Sequence, residues 1–128
     1  MIRFLELSDV LLMHREGIRD FGGIHGTRDE NRLDSALNMP KAGFKGEYFH
    51  KTIPSMAAAY AFHICQNHPF LDGNKRTATH ALIMLLRLNG IKAILTKDDL
   101  VKIGYAIASG TMSHKDLADM ITERVTAP

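Results

Sequence analysis

Apolar residues recur along the chain at helical spacing, in stretches separated by glycine, proline and short polar runs. The first runs from Ser8 to Phe21, with Val10, Leu11, Ile18 and Phe21 apolar among charges, and predicts a helix capped by Ser8 and stopped by Gly22-Gly23. A second, Thr27 to Leu37, sets Leu33, Ala36 and Leu37 on one face before Met39-Pro40 ends it. Ile53–Cys65 is nearly continuously apolar, with Pro54 suited to a first helical turn. Ala78–Leu88 is apolar almost all round, as expected of a helix at the centre of a bundle, and Asn89-Gly90 closes it. Thr96-Lys97-Asp98-Asp99 has the spacing of a capping box and opens a helix through Ile107. Ser113-His114-Lys115-Asp116 opens the last, Leu117 to Val125.

Two stretches lack that period. Lys41–Thr52 mixes Gly43 and Gly46 with Phe44, Tyr48 and Phe49, which fits either a mobile flap or a surface loop tied down by its aromatics. Ile91–Leu95 reads as a brief extended connection too short to found a sheet. The pattern predicts an all-α single domain over residues 1–128, about six helices around a central buried one, without repeats.

Composition narrows this picture without redrawing it. A chain of 128 residues, 45% hydrophobic, is one ordinary domain and buries roughly two-thirds of its unfolded surface. The net charge of +2 is small and the basic residues scattered, so no nucleic-acid footprint is expected. No apolar run reaches the roughly 18–20 residues of a membrane span; Thr79, His80 and Arg87 interrupt the nearest candidate. The single cysteine, Cys65, has no disulfide partner, which fits a reducing cytoplasm.

Chemistry concentrates in the ten residues His68–Thr77, HPFLDGNKRT. Pro69 and Gly73 break the helical pattern, so the segment is a turn that launches the next helix, with Asn74 as its expected N-cap. Lys75 and Arg76 then fall in a first turn, where cations oppose the helix dipole by about 0.3–1 kcal/mol each. An anion at that terminus resolves the conflict, because outward N–H groups, dipole and both cations converge on it. A triphosphate fits best, with Asp72 holding a magnesium ion that bridges phosphate oxygens. His68 suits proton removal from an incoming hydroxyl near neutral pH, as an imidazole does.

These residues resemble the active-site motif of the Fic/Doc superfamily, His-x-Phe-x-Asp/Glu-Gly-Asn-Gly-Arg-x-x-Arg. Lys75 stands where the second glycine falls and Thr79 where the last arginine falls, both as in the Doc, or death-on-curing, branch. Phe21-Gly22-Gly23, Gly26, Arg28-Asp29, Leu33, Ser35-Ala36-Leu37 and Asn89-Gly90 agree with that branch. The resemblance implies a toxin of a type II toxin–antitoxin system that transfers a phosphoryl group from ATP to a Ser or Thr hydroxyl of a protein, by analogy elongation factor Tu, arresting translation. It implies catalytic roles for His68, Asp72, Lys75 and Arg76, phosphate binding by Gly73, Asn74, Lys75 and Arg76, magnesium on Asp72, and Phe70 as an anchor under the loop. The segment equivalent to Lys41–Thr52 lines the family's target groove.

Alternatives remain at this point. Nucleotidyl transfer of the Fic type is one, although Lys75 in the glycine's space and the missing arginine obstruct that pose. A catalytically idle nucleotide- or partner-binding module is another. A P-loop is excluded by spacing, since Asn74 separates Gly73 from Lys75 and Arg76 separates Lys75 from Thr77. No zinc pattern exists: His63 and His68 lie five apart, off one helical face. His14 and Glu16 read as surface or packing residues, and His63 as a core residue or one behind the site. The family's autoinhibitory Ser/Thr-x-x-x-Glu-Gly/Asn helix is not matched: Thr27–Asn31 is one residue short, and Thr122-Glu123-Arg124 departs from it. The resemblance therefore implies an antitoxin acting in trans.

Overall fold

A computed structural model describes residues 1–126 and contains six α-helices with two minimal strand pairs. The helices are α1 (Leu7–Phe21), α2 (Glu30–Asn38), α3 (Ile53–Asn67), α4 (Asn74–Leu88), α5 (Lys97–Ala108) and α6 (His114–Arg124). The predicted all-α architecture is the one found.

Local chemistry explains most helix ends. Thr96 Oγ1 accepts the Asp99 N–H at 3.0 Å while Asp99 Oδ2 accepts the Thr96 N–H at 2.9 Å, the expected capping box of α5. Ser113 and Asp116 repeat the arrangement at α6, both bonds 3.1 Å. Thr52 caps α3 through the Ser55 N–H, with Pro54 in the first turn. Ser8, in contrast, does not cap α1. The helix starts one residue earlier, because Asp9 reaches back to the Glu6 N–H at 2.8 Å and leaves Ser8 inside the first turn. Helix α2 begins at Glu30 rather than Thr27, capped by Asp29, whose carboxylate accepts the Arg32 N–H at 3.1 Å. Residues 27–29 are spent instead on pairing with the motif loop.

The non-helical stretches gain order the pattern did not announce. The flap region holds a two-residue hairpin, β1 (Gly43–Phe44) against β2 (Glu47–Tyr48), turned by Lys45 and Gly46 at φ 52° and 80°. Positive φ at both turn positions is what a tight hairpin demands. Strands β3 (Lys92–Ala93) and β4 (Val125–Thr126) pair antiparallel, so the extended connection does acquire a partner. That pairing draws Val125 out of the last helix, which ends at Arg124.

Burial is deepest along α3, where every residue from Met56 to Ala61 is enclosed and which packs against α2, α4, α5 and α6. Its run of alanines lets four helices approach. Helix α4, expected at the centre, buries Ala78, Ala81, Leu82, Leu85 and Leu86 but turns Lys75, Arg76, His80 and Arg87 to solvent. Helices α3 and α4 form the most extensive interface in the molecule, a hairpin whose tip is the HPFLDG turn. No helix among the described residues is long and apolar enough to cross a membrane.

Candidate active site

The tip between α3 and α4 is tied at nearly every backbone group. His68 caps α3 in the left-handed region, φ 50°, and its side chain is exposed. The Pro69 carbonyl accepts N–H bonds from Arg28 at 2.7 Å and Asp29 at 3.0 Å, and the Gly26 carbonyl accepts the Leu71 N–H at 3.0 Å. The loop 22–29 therefore runs across the motif like a short strand, bridging Thr27 to Phe70. Its glycines make the approach possible: a Cβ on Gly23 would stand 2.7 Å from Asp72 Oδ2, and one on Gly26 would stand 2.9 Å from Leu71 Cδ1.

Phe70 is fully buried beneath this tip. The His14 ring stacks on it at 3.8 Å and 7°, and His14 Nε2–H donates to the Asp72 carbonyl at 2.8 Å. One imidazole thus holds the anchor and the far end of the loop together. Burial pushes the His14 pKa down, so the ring is neutral at neutral pH. This corrects the reading of His14 as an ordinary surface or packing residue: α1 delivers it to the motif from outside, and nothing local in sequence marks that contact.

Asn74 does not cap α4. Gly73, at φ 77°, takes that place, and the buried Asn74 side chain folds back to bracket Phe70, accepting its N–H at 2.9 Å and donating to its carbonyl at 3.0 Å. Its amide is therefore committed to the turn. Helix α4 begins with no side-chain cap and no acidic residue in its first turn.

The Asp72 carboxylate is exposed and accepts the Ile24 N–H at 3.1 Å and the Gly73 N–H at 2.9 Å, one on each oxygen. These bonds hold its pKa below the usual carboxylate range, with Arg76 and His14 acting in the same direction. A lone pair remains on each oxygen for a cation. No group of three or more His, Cys, Asp or Glu among the described residues makes a protein-only metal site. A single carboxylate beside phosphate oxygens is nonetheless the usual protein share of a magnesium site, so the residues fit that ion when it arrives with a nucleotide.

The two cations diverge. Lys75 Nζ lies 5.0 Å from the Tyr105 ring centroid on the α5 side, and the Arg76 guanidinium lies 4.5 Å from the Phe21 ring on the α1 side. Glycines in those helices admit them: a Cβ on Gly104 would meet Lys75 Cβ at 3.1 Å, and one on Gly17 would meet Arg76 Cδ at 3.4 Å. They flank the helix start instead of sharing an enclosed cavity. Neither lies within ion-pair distance of a carboxylate among the described residues. A recess of about 740 Å³ lies elsewhere, between the N-terminal segment, α1 and α4, and includes no residue of the motif. His68, Asp72, Lys75 and Arg76 present their side chains on an open surface, while Asn74 and Thr77 are buried.

A family model described as the Fic/DOC family matches residues 4–86, from the N-terminal segment through the motif to the last turn of α4. The chain belongs to the Fic/DOC family. Its similarity to curated proteins puts it on the Doc branch of that family. It is 25% identical over 120 residues to the protein kinase Doc of Escherichia phage P1, covering 94% of each chain. It is 36% identical over 92 residues to the toxin Doc of Mycolicibacterium smegmatis, covering 72% of this chain and 68% of that one. The Fic/DOC motif is thus held in this chain by residues outside it, His14, the Ile24 N–H and Arg28, which motif reading passes over.

Proposed function

We propose that this Doc-branch protein is the toxin of a toxin–antitoxin pair and transfers the γ-phosphoryl group of ATP to a Ser or Thr hydroxyl of a protein. The observation that carries the proposal is the start of α4: an uncapped helix N-terminus bearing Lys75 and Arg76, both without carboxylate partners, beside the Asp72 carboxylate and one loop away from an exposed imidazole. The first four N–H groups of a helix have no partner within it, and a phosphate group supplies one. The kinase and toxin names of the two relatives support the same reading.

In this scheme His68 accepts the proton of the acceptor hydroxyl as its oxygen attacks the γ-phosphorus. The bond from that phosphorus to the β,γ-bridging oxygen breaks and ADP leaves. Lys75, Arg76 and the first-turn N–H groups of α4 balance the charge gathering on the transferred group, which is how proteins chiefly catalyse phosphoryl transfer. Magnesium on Asp72 supplies Lewis-acid neutralisation of the phosphate oxygens when bound. Phe70 and His14 keep the turn rigid beneath these groups.

Two features favour γ over α transfer. Lys75 takes the space of the motif's second glycine, and Thr79, in place of the second arginine, is buried with its hydroxyl bonded back to the Lys75 and Arg76 carbonyls at 3.2 and 3.1 Å. Thr79 therefore offers no cation where the motif's second arginine stands in the adenylylating pose. Elongation factor Tu is the target the family resemblance points to. An antitoxin acting in trans is the expected inhibitor, since Thr27–Asn31 is occupied in pairing with the motif and capping α2.

Incubation of chain and target with ATP labelled at either position tests the chemistry. The γ label is expected on protein and the α label in free ADP. Retained α label would convert the reading to adenylyl transfer, and no label in either arm would leave a binding module. Growth arrest on expression, relieved by a neighbouring gene product, tests the toxin reading separately.

A further inference from the structure

His68 adopts φ 50° and ψ 54° one residue past the end of α3. That conformation brings a Cβ too close to the following carbonyl oxygen and is disfavoured for any residue that carries one. The cost is compounded by Pro69, because the residue before a proline is driven away from helical ψ values toward extended ones. Left to itself, the His68 backbone would relax toward the extended region and swing its imidazole off the motif. Something outside the residue must hold it.

Arg28 is placed to do so. Its Nε and Nη2 groups both donate to the His68 carbonyl, at 3.0 and 2.6 Å, and Nη2 reaches the Asn67 carbonyl at 3.4 Å. Its backbone N–H donates to the Pro69 carbonyl at 2.7 Å. One residue therefore grips three successive carbonyls where the chain leaves α3. Fixing the His68 carbonyl fixes the plane of the His68–Pro69 peptide, and so the ψ of His68. Helix α3 has no basic residue in its own last turn, so the guanidinium also meets the negative end of its dipole. Arg32 supports the grip, with Nη1 3.4 Å from the Asn67 carbonyl while Asn67 Nδ2 donates back to the Arg32 carbonyl at 2.9 Å.

We infer that Arg28 is a positioning residue for His68, holding the strained backbone that aims the imidazole at the acceptor hydroxyl. The inference rests on the reading of His68 as the proton acceptor. Arg28 touches the histidine's carbonyl and not its ring, so it acts through geometry. The turn keeps its other ties without the side chain: Arg28 is exposed, the His68 N–H keeps its bond to the Ile64 carbonyl, and Pro69 keeps the Asp29 N–H. Only the His68 carbonyl loses its donor when the guanidinium is removed.

The test uses the full chain as wild type, Arg28→Ala and Arg28→Lys, with three readouts: steady-state transfer of γ label, thermal midpoint, and the intraresidue HN–Hα NOE of His68, which is strong for a left-handed residue. Arg28→Ala is expected to lower kcat about 10- to 100-fold, the scale of an ångström-sized misplacement. The KM for ATP should stay within about twofold, because the phosphate-binding groups lie at the other end of the turn. Arg28→Lys, which keeps the charge and one donor, should fall between wild type and Arg28→Ala. The NOE should weaken in Arg28→Ala while the remaining spectrum is unchanged. A kcat within twofold of wild type, a KM that rises as steeply as kcat falls, a loss that follows the folded fraction, or an unchanged NOE would each overturn the inference. If wild type transfers no label, the functional reading fails on its own, and the NOE alone decides whether Arg28 holds His68.

Discussion

The turn 68–73 is bracketed by two helix ends that the fold treats oppositely. At the C-terminus of α3 the last carbonyls are met by Arg28 and Arg32, cations brought from another element to the negative end of a dipole. At the N-terminus of α4 no side chain caps the helix, and the cations are its own, set at the positive end of the dipole. One end is met by side chains from another element; the other has neither a capping side chain nor an acidic residue in its first turn. The contrast is sharper because Asp29, Thr52, Thr96 and Ser113 cap α2, α3, α5 and α6 in the ordinary way. Among the described residues four of the other five α-helices carry a capping side chain that α4 lacks, and under the function proposed above an incoming polyphosphate would meet that bare start beside Asp72.

The hardest way to break the comparison is to remove what stands between the two ends. His68→Ala should lower phosphoryl transfer by about 10²–10⁴-fold, the usual contribution of a general base, with little change in the denaturation midpoint because the side chain is exposed. Phe70→Ala should do the reverse in kind. It empties the site of a fully buried ring stacked on His14 and should cost about 3–5 kcal/mol in urea unfolding. If Phe70→Ala left stability unchanged, the turn would not be anchored as described.

Asn74→Ala comes next. It strips both bonds from the buried Phe70 peptide groups, and each buried group left unmet costs about 1–3 kcal/mol. The loss should appear in stability before activity, since the first-turn N–H groups remain. Asn74→Asp sharpens the point. The carboxylate still accepts the Phe70 N–H but offers the Phe70 carbonyl no donor, so it should rescue only part of the loss.

A smaller effect depends on pH. Burial depresses the His14 pKa in the folded chain, so the unfolded chain binds more protons below the ordinary histidine value of about 6.5. The contribution is fully present above that pH and is lost as pH falls through the depressed folded value. His50 and His63 shift in the same direction, also chiefly by burial. The thermal midpoint should therefore drop on acidification below about 6.5, and His14→Gln should flatten the drop without abolishing it. A slope unchanged in His14→Gln would remove His14 from the account.

Much of the fold was legible because it is local: the Thr96–Asp99 and Ser113–Asp116 boxes, Pro54 in the first turn of α3 and Gly22 after α1 all act within a few residues. The errors fall where distant contacts decide. Thr27 satisfies the rules for a helix start, yet pairing with Pro69 and Phe70 draws it and Arg28 out as extended chain. Asn74 is a good N-cap by type, but the glycine before it already supplies the left-handed turn, and the Phe70 peptide claims its amide. The motif's composition pointed to the family, which the family match bears out. Its support was hidden, because a backbone N–H such as that of Ile24 leaves no mark in sequence and His14 lies 58 residues from the carbonyl it holds. The signal within reach was glycine, since Gly17, Gly23, Gly26 and Gly104 each sit where a Cβ would press on a motif side chain.

The finest test of the two ends uses charge alone. Arg76 opposes the α4 dipole in the nucleotide-free chain, its guanidinium resting on the exposed Phe21 ring without a carboxylate partner. Arg76→Gln keeps much of the side chain's length and removes the conflict, so the free protein should become more stable by about 0.3–1 kcal/mol, less at high salt. ATP should then reverse the order. Wild type gains stability with ligand concentration as RT ln(1 + [L]/Kd), and the variant, binding more weakly, gains less, so the thermal midpoints should cross as ATP is raised. The α3 end supplies the control: Arg28→Gln removes a charge from the favourable end of a dipole and should lower stability with and without ATP. If Arg76→Gln instead destabilises the free chain as Arg28→Gln does, the start of α4 is an ordinary cation–aromatic contact and not a site waiting for an anion.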